Sequence, residues 1–521
     1  MKTRKLISFL FILSVLTVNG QVRQPHSLYF MQTIPQVSQM NPAIQPRANS
    51  YVILPLNFNI DASFDIAAKD IVQKQGSNRH LPYEEEFDYK TFRKAIGKNA
   101  TMLNTEFDLD IFGFGFRSGN NYFRFGISEH ITAGFALPSD FFKITEKGLP
   151  HGEQLDFSPL RFKSMAYMQV TVGYSYTFND KLTIGMNVKP TLGQVAVLTD
   201  LNTFNLKTNR DEWNVEARGK VNISAPVVKD GDKIFDYKPN DKLYDENDNF
   251  DVRYVIDNYL LGFSNPGLAL DFGAVYQLND RLNLSAAINN LGLITWRKDD
   301  DLHGRKFNTN FSFEGLEFNL AEDDFDIDIN KIIDELFDFE DEDLDDNEKK
   351  FTTAMTPNVY LGGQYYLTKA TSVGFVSRTA FWNRAVRQSF NLSLYMQPYS
   401  FVGFNVGTTY QVKGNAYLGG GFMFLLGPLQ IYLLADYIPL TYTPFAIMEK
   451  VKDDEGNNVL NADGSVKKEK KVLGEGFPYF DAYPIPERQK SFTYRVGVNL
   501  IFGKHGYVNK PMLDKSKSSW N

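Results

Sequence analysis

The stretch Leu54-Pro55-Leu56-Asn57-Phe58-Asn59-Ile60-Asp61-Ala62-Ser63-Phe64-Asp65-Ile66 puts Leu54, Leu56, Phe58, Ile60, Ala62, Phe64 and Ile66 on one parity, and Asn57, Asn59, Asp61, Ser63 and Asp65 on the other. In an extended chain successive side chains point to opposite faces, so one face is oily and the other wet. The alternation recurs downstream. Leu182, Ile184, Met186 and Val188 oppose Thr183, Gly185, Asn187 and Lys189, and Leu282, Leu284, Ala286 and Ile288 oppose Asn283, Ser285, Ala287 and Asn289. In the last such segment Phe492, Tyr494, Val496, Val498, Leu500 and Phe502 oppose Thr493, Arg495, Gly497 and Asn499, and the segment ends on an aromatic. A soluble sandwich also alternates, but its polar face looks outward and nothing keeps its long loops at one end.

Strands are expected near 51–67, 103–117, 121–137, 161–178, 181–197, 266–278, 281–297, 353–368, 371–382, 387–397, 401–411, 415–426, 428–442 and 488–502, which makes fourteen. Tight connections fall at Ser118-Gly119-Asn120, Asn179-Asp180, Asn279-Asp280, Thr368-Lys369-Ala370, Pro398-Tyr399-Ser400 and Gly427-Pro428, each with turn chemistry. All six follow even-numbered strands. Bacterial outer-membrane barrels keep short turns on the periplasmic side, so this parity orients the barrel and places both termini in the periplasm. The fold class is therefore all-β: a closed antiparallel transmembrane β-barrel of about fourteen strands. Aromatics near the strand ends, Tyr176, Phe178, Tyr276 and Tyr366 below and Trp296 and Trp382 above, are expected to form the two interface girdles.

The compartment follows from the first residues. Lys2, Arg4 and Lys5 precede an apolar run from Leu6 to Val18, and Val18-Asn19-Gly20 offers a small residue for cleavage before Gln21. That is a secretory signal, too short for a membrane anchor. The chain has no cysteine, so no lipid anchor, disulfide framework or thiolate metal site can form. The most apolar later stretch, Gly421 to Leu434, is broken at Gly427-Pro428 well short of the roughly 20 residues of a spanning helix. Aromatic content of 14%, with 44 Phe and 27 Tyr, suits strands that meet lipid. The net charge of −7 comes largely from one acidic stretch, Glu322 to Asp346, and argues against a nucleic-acid partner.

Four divisions are expected: a signal peptide over 1–20, a luminal or hatch segment over 21–50, the barrel over 51–502 with long extracellular loops, and a periplasmic tail over 503–521. Because eight strands are about what side chains alone can fill, a fourteen-stranded barrel needs a plug or stays open. The segment before the first strand, with Tyr29, Phe30, Met31, Ile34, Val37 and Met40 ahead of Asn41-Pro42-Ala43, is the natural plug. By parity the wet face puts Asn57, Asn59, Asp61, Asp65, Asn187, Lys189, Asn283, Asn289, Arg495 and Asn499 in the lumen. Trp213 to Ser224 alternates weakly and is expected to pair with Phe204 to Thr208 as a small hairpin outside the membrane; were it to cross, the count would be sixteen. The acidic loop reads as a solvated surface rather than a metal site, since it lacks the glycine and terminal glutamate spacing of a calcium loop.

Fourteen strands, a luminal N-terminal segment and an Asn-Pro-Ala element before the first strand resemble the FadL-like family of outer-membrane transporters for hydrophobic compounds. They also resemble relatives in Bacteroidota, including the PorV type of secretion component and an uncharacterised barrel family. Asn265-Pro266-Gly267-Leu268-Ala269-Leu270-Asp271-Phe272-Gly273-Ala274-Val275-Tyr276, followed by Ala287-Ile288-Asn289-Asn290-Leu291-Gly292, is similar to paired strands of that last group. The resemblance implies that an apolar ligand enters among the outer loops, passes a pocket and leaves when the N-terminal segment shifts, with Asn41, Pro42 and Ala43 as the hatch element. It also implies an outer-membrane location in a Gram-negative bacterium, with lipid and lipopolysaccharide as surroundings. The alternative is a barrel serving a secretion or surface-assembly machine, with the basic tail carrying Lys504, Lys510, Lys515 and Lys517 as its periplasmic docking element. No cofactor or enzymatic activity is expected. The histidines, His26, His80, His130, His151, His303 and His505, form no recognisable catalytic set, and Glu129 and His130, being adjacent in a strand, face opposite ways.

Overall fold

The computed structural model describes residues 26–503 apart from 76–77, 81–86, 97–98, 144–151, 180, 210–212, 231–236, 247–248, 261, 263, 299–300, 314–341, 344–348, 383–384, 413–415, 439–441, 446–447, 451–458, 460–467, 471–482, 487 and 489. The expected signal, the acidic loop except Glu342–Asp343, and the basic tail lie outside the described residues. The chain divides into two units, one of residues 1–65, 96–438 and 491–521 and one of residues 66–95 and 439–490.

The first unit holds a closed barrel of fourteen antiparallel strands. These are β1 (Ser50–Ile53 continuing as Asn57–Phe64), β2 (Ala100–Ser118), β3 (Asn121–Pro138), β4 (Arg161–Phe178), β5 (Leu182–Thr208), β6 (Pro266–Gln277) and β7 (Leu282–Trp296). They continue as β8 (Phe351–Ala354 and Asn358–Tyr366), β9 (Thr371–Trp382), β10 (Ala385–Tyr399), β11 (Val402–Gln411), β12 (Ala416–Leu426), β13 (Leu429–Ile438) and β14 (Ser491–Phe502). Each pairs with its neighbour in sequence, and β14 closes on both pieces of β1, with Val52 opposite Leu500 and Ile60 opposite Tyr494. Closure leaves no sheet edge with unpaired backbone groups, which hydrocarbon could not satisfy. Gly119 and Gly427 sit at φ of 61° and 63° in two of the tight turns, a conformation a side chain disfavours.

Pro55 interrupts β1, because it has no N–H to give to the ladder; Leu54–Leu56 leave the sheet, and Asn57 Nδ2 fills the gap by donating to the carbonyls of Leu54 and Val498, both at 2.8 Å. Opposite this break β2 carries a bulge between Asp110 and Phe112, so its inward parity changes from Glu106, Asp108 and Asp110 to Gly113 and Gly115. A second bulge at Asn290, whose φ is 58°, turns the upper part of β7 over. It overturns one expected girdle position: Trp296 points inward, fully buried, and donates its indole N–H to Thr353 Oγ1 at 3.0 Å. Tyr366 is likewise inward, sharing the parity of Gln364, while Phe178 and Tyr276 are exposed on the outside.

Trp213–Ser224 pairs with the upper part of β5 and with Leu302–Phe313. Since β5 and β6 pair directly from Leu182 to Leu192 below it, this hairpin adds no strand to the barrel. It builds a second hydrophobic cluster around Leu206, Val215, Ala217, Val221 and Phe307. The other unit consists of short pieces, among them helix Tyr89–Ala95, whose Phe92 packs edge-on to Phe87 at 5.4 Å, and three small hairpins.

The outer face of the barrel carries exposed Ile184, Met186, Leu268, Phe272, Leu284, Leu361, Phe375, Leu392, Val406 and Phe424 on successive strands. A water-soluble protein rarely exposes so continuous an apolar surface, whereas a lipid-facing belt requires it. Among the described residues no helix is long and apolar enough to cross a membrane. A lysine at Val406, midway up β11, is expected to cost about 2–4 kcal/mol, and one at Phe502, by the rim, no more than about 1 kcal/mol. Urea unfolding from phospholipid vesicles measures both; equal costs would contradict the placement of the belt.

Candidate functional site

Residues 26–48 run through the barrel interior as a string of tight turns. Tyr29 N–H donates to the His26 carbonyl at 3.0 Å, Met31 to Leu28 at 2.9 Å and Ile34 to Met31 at 2.9 Å, and a single helical turn follows at Val37–Met40. Satisfying its own backbone in this way lets the segment bury Leu28, Tyr29, Phe30, Met31, Ile34, Val37 and Met40. They pack on inward-facing Tyr360, Val376, Tyr395, Met423, Tyr432, Leu434 and Ile501 of the wall. Each large side chain so buried contributes roughly 1.5–3 kcal/mol.

The wall makes room with glycines. A Cβ at Gly185 would lie 2.2 Å from the Pro42 carbonyl oxygen, at Gly273 2.1 Å from Asn41 Oδ1, at Gly362 2.8 Å from the Tyr29 ring and at Gly374 2.4 Å from the Phe30 ring. These four belong to β5, β6, β8 and β9, so one side of the lumen is a shelf shaped to the segment. On it Asn41 Oδ1 accepts from Ala43 N–H at 2.9 Å, and Asn41 Nδ2 donates to Tyr29 Oη and the Ala286 carbonyl, both at 3.3 Å. Asn41, Pro42 and Ala43 thus form a turn locked against the wall.

Polar contacts complete the seat. Gln36 Nε2 donates to Asn57 Oδ1 at 3.0 Å and to Asn499 Oδ1 at 2.9 Å, and Asn499 Nδ2 donates back to Gln36 Oε1 at 3.0 Å. Arg495, 2% exposed, donates to Gln39 Oε1 at 2.8 Å and to Asp110 Oδ2 at 2.9 Å. Asn289 Nδ2 donates to the carbonyls of Gln39 and Met40. Among the other expected lumen residues, Lys189 Nζ lies 2.7 Å from Asp271, to which Asn187 also donates; Asp61 accepts from Thr493, and Asn59 donates to Asp108. Asn283 is buried on the same inward parity of β7, whereas Asp65 sits at the top of β1, near Arg387 at 3.4 Å and away from the segment.

Between the segment and β1–β8 lies a cavity of about 100 Å³, lined by Gln36 and Gln39 and by Glu106, Asp108, Asp110, Arg124, His130 and Lys189. Sequence reasoning passed over Glu106, Asp108 and Asp110, although they alternate with Phe107, Leu109 and Ile111 as clearly as the residues of the first strand do. It considered His130 only with its neighbour Glu129. The partner is across the sheet: His130 stands opposite Asp108, with Nδ1 2.6 Å from Asp108 Oδ1, and its ring stacks on Tyr167 at 5.0 Å.

Gly185→Val is expected to unseat residues 41–43, because the new side chain occupies the place of the Pro42 carbonyl. Arg47, buried in the native protein, should then be cut by trypsin in detergent at least about tenfold faster, a shift of about 1.4 kcal/mol in the opening equilibrium. Unchanged protection would contradict the shelf.

Comparison with solved structures finds many similar chains, among them the following three. The Ralstonia pickettii toluene transporter TbuX is 10% identical with a TM-score of 0.39, over 90% of this chain and 94% of that one. The Pseudomonas putida toluene transporter TodX is 9% identical with a TM-score of 0.38, over 90% and 95%. A Pseudomonas aeruginosa FadL homologue is 12% identical with a TM-score of 0.39, over 94% and 99%. Scores this low carry no argument about cargo. No curated protein sequence matches the chain. The model of a family of unknown function, DUF5723, matches residues 42–436, from the Asn41–Ala43 turn into β13, and the chain belongs to that family.

Proposed function

We propose that the protein is a non-enzymatic transport barrel of a Gram-negative outer membrane, held closed by residues 26–48 acting as its plug. The observation that carries this reading is that the wall closes without the plug. The pairing of β14 with β1 is complete, while the segment is attached only by apolar contact and side-chain hydrogen bonds. Such a segment can shift without opening the sheet. Its departure would uncover a lumen in which Tyr122, Tyr395, Met423, Leu425, Leu434 and Ile501 share the inner wall with Gln364, Gln397, Gln430 and Asn499. That mixed lining suits a hydrophobic small molecule that also carries polar groups.

Deleting residues 26–48 is expected to turn a barrel silent in planar bilayers into one with steady ion conductance. Far-UV circular dichroism and heat-shifted electrophoretic migration check that the barrel still forms. A folded deletion variant that stays silent would sink the reading. Mass spectrometry of the full chain, extracted in gentle detergent, is expected to find an apolar molecule retained by it.

A second reading, a barrel serving a secretion or surface-assembly machine, is favoured by the hydrophobic cluster built on Trp213–Ser224 and Leu302–Phe313, which a simple pore does not need. In that case crosslinking in cells should recover a stoichiometric partner that is lost when this hairpin is removed.

A further inference from the structure

We propose that Glu106, Asp108 and His130 form a binding site for a single divalent ion of the zinc class inside the barrel. Glu106 and Asp108 are two residues apart in β2 and share its inward face, and His130 is directly opposite Asp108 in β3. One donor atom from each of the three lies within 4.8 Å of the others. Two neighbouring strands therefore present three ligands to one point without any loop having to fold around it.

The independent observation is Glu106. Its side chain is 1% exposed, lines the cavity, and neither of its carboxylate oxygens accepts a hydrogen bond. A buried carboxylate with no donor is costly, and the Asp108 carboxylate lies within 4.8 Å of it. The guanidinium groups that could have neutralised it are engaged elsewhere. Arg495 is held by Asp110 at 2.9 Å, and Arg378 donates twice to Asn358 Oδ1, at 3.0 and 2.7 Å. Two carboxylates side by side, one of them with no donor, call for a proton or a metal ion between them.

The surroundings favour the ion. Ser128 Oγ is 2.9 Å from His130 Nε2, so Nε2–H can donate to it and leave the Nδ1 lone pair facing the carboxylates, the arrangement a metal-bound imidazole needs. Asn59 Nδ2 holds the other oxygen of Asp108 at 3.1 Å, which orients that carboxylate. The adjoining cavity of about 100 Å³ has room for the waters that complete the coordination. One imidazole and two carboxylates are a donor set for zinc, manganese or iron(II), whereas calcium and magnesium favour oxygen alone. Binding replaces the proton shared by His130 Nδ1 and Asp108 Oδ1 with the ion, and that proton leaves to solvent.

The test uses the full chain in detergent, stripped with a chelator and titrated with Zn²⁺ by calorimetry, and with Co²⁺ by visible absorption. Wild-type protein is expected to bind one ion more than Glu106→Gln or His130→Gln, and each variant to lose affinity at that site by at least about tenfold. Co²⁺ should show ligand-field bands that both variants lose. Circular dichroism checks that the variants fold. Ser128→Ala, which keeps all three ligands, provides a further readout and should weaken binding without abolishing it. If wild-type protein binds no ion, or if its binding is unchanged in Glu106→Gln and His130→Gln, as for ions held only by the outer loops, the proposal is overturned. A proton shared by Glu106 and Asp108 then takes the place of the metal.

Discussion

Everything else in this molecule depends on the hydrogen-bonded seam between β14 and β1. Backbone groups facing hydrocarbon must find partners within the protein, and a sheet can meet that demand only by joining its first strand to its last. Pairing of Ser50–Ile53 and Asn57–Phe64 with the final strand does this, and Asn57 repairs the one place where Pro55 breaks the first strand. Once fourteen strands close, their circumference sets a lumen wider than inward side chains can span. That width leaves room inside for residues 26–48.

Residues 26–48 meet the wall in two ways. On one side, glycines at Gly185, Gly273, Gly362 and Gly374 let backbone and aromatic rings approach closely, so shape decides the fit. On the other, Gln36 and Gln39 join a network of buried polar groups through Asn57, Asn499, Arg495 and Asp110. Shape fixes where the segment sits, and the network fixes its rotation and register. Because the seat includes a buried ion pair, losing one partner would leave the other charge stranded, so the network also favours a single closed arrangement.

Beside the segment the lumen wall carries several buried charges. Asp271 is matched by Lys189 and Asp110 by Arg495, but Glu106 has no such match. The imbalance sits where β2 and β3 are in direct register, beside the cavity.

Alternation and turn chemistry determined the fold class, the strand count and the inside-outside assignment in the sequence itself, because both depend on neighbours only one to four residues apart. Leu54–Leu56 and the Asn290 bulge escaped that reading for the same reason. A strand's parity holds only until a residue is inserted, and whether one is inserted depends on the partner strand. Trp296 therefore read as an outer girdle residue and proved to be core. Asn41, Pro42 and Ala43 could be picked out as a turn, but their contact with Gly185 and Gly273 spans more than a hundred residues of chain. The pairing of His130 with Asp108, and of Arg495 with Asp110, was decided only by tertiary structure, since cross-strand register and barrel closure bring together side chains that no local pattern connects.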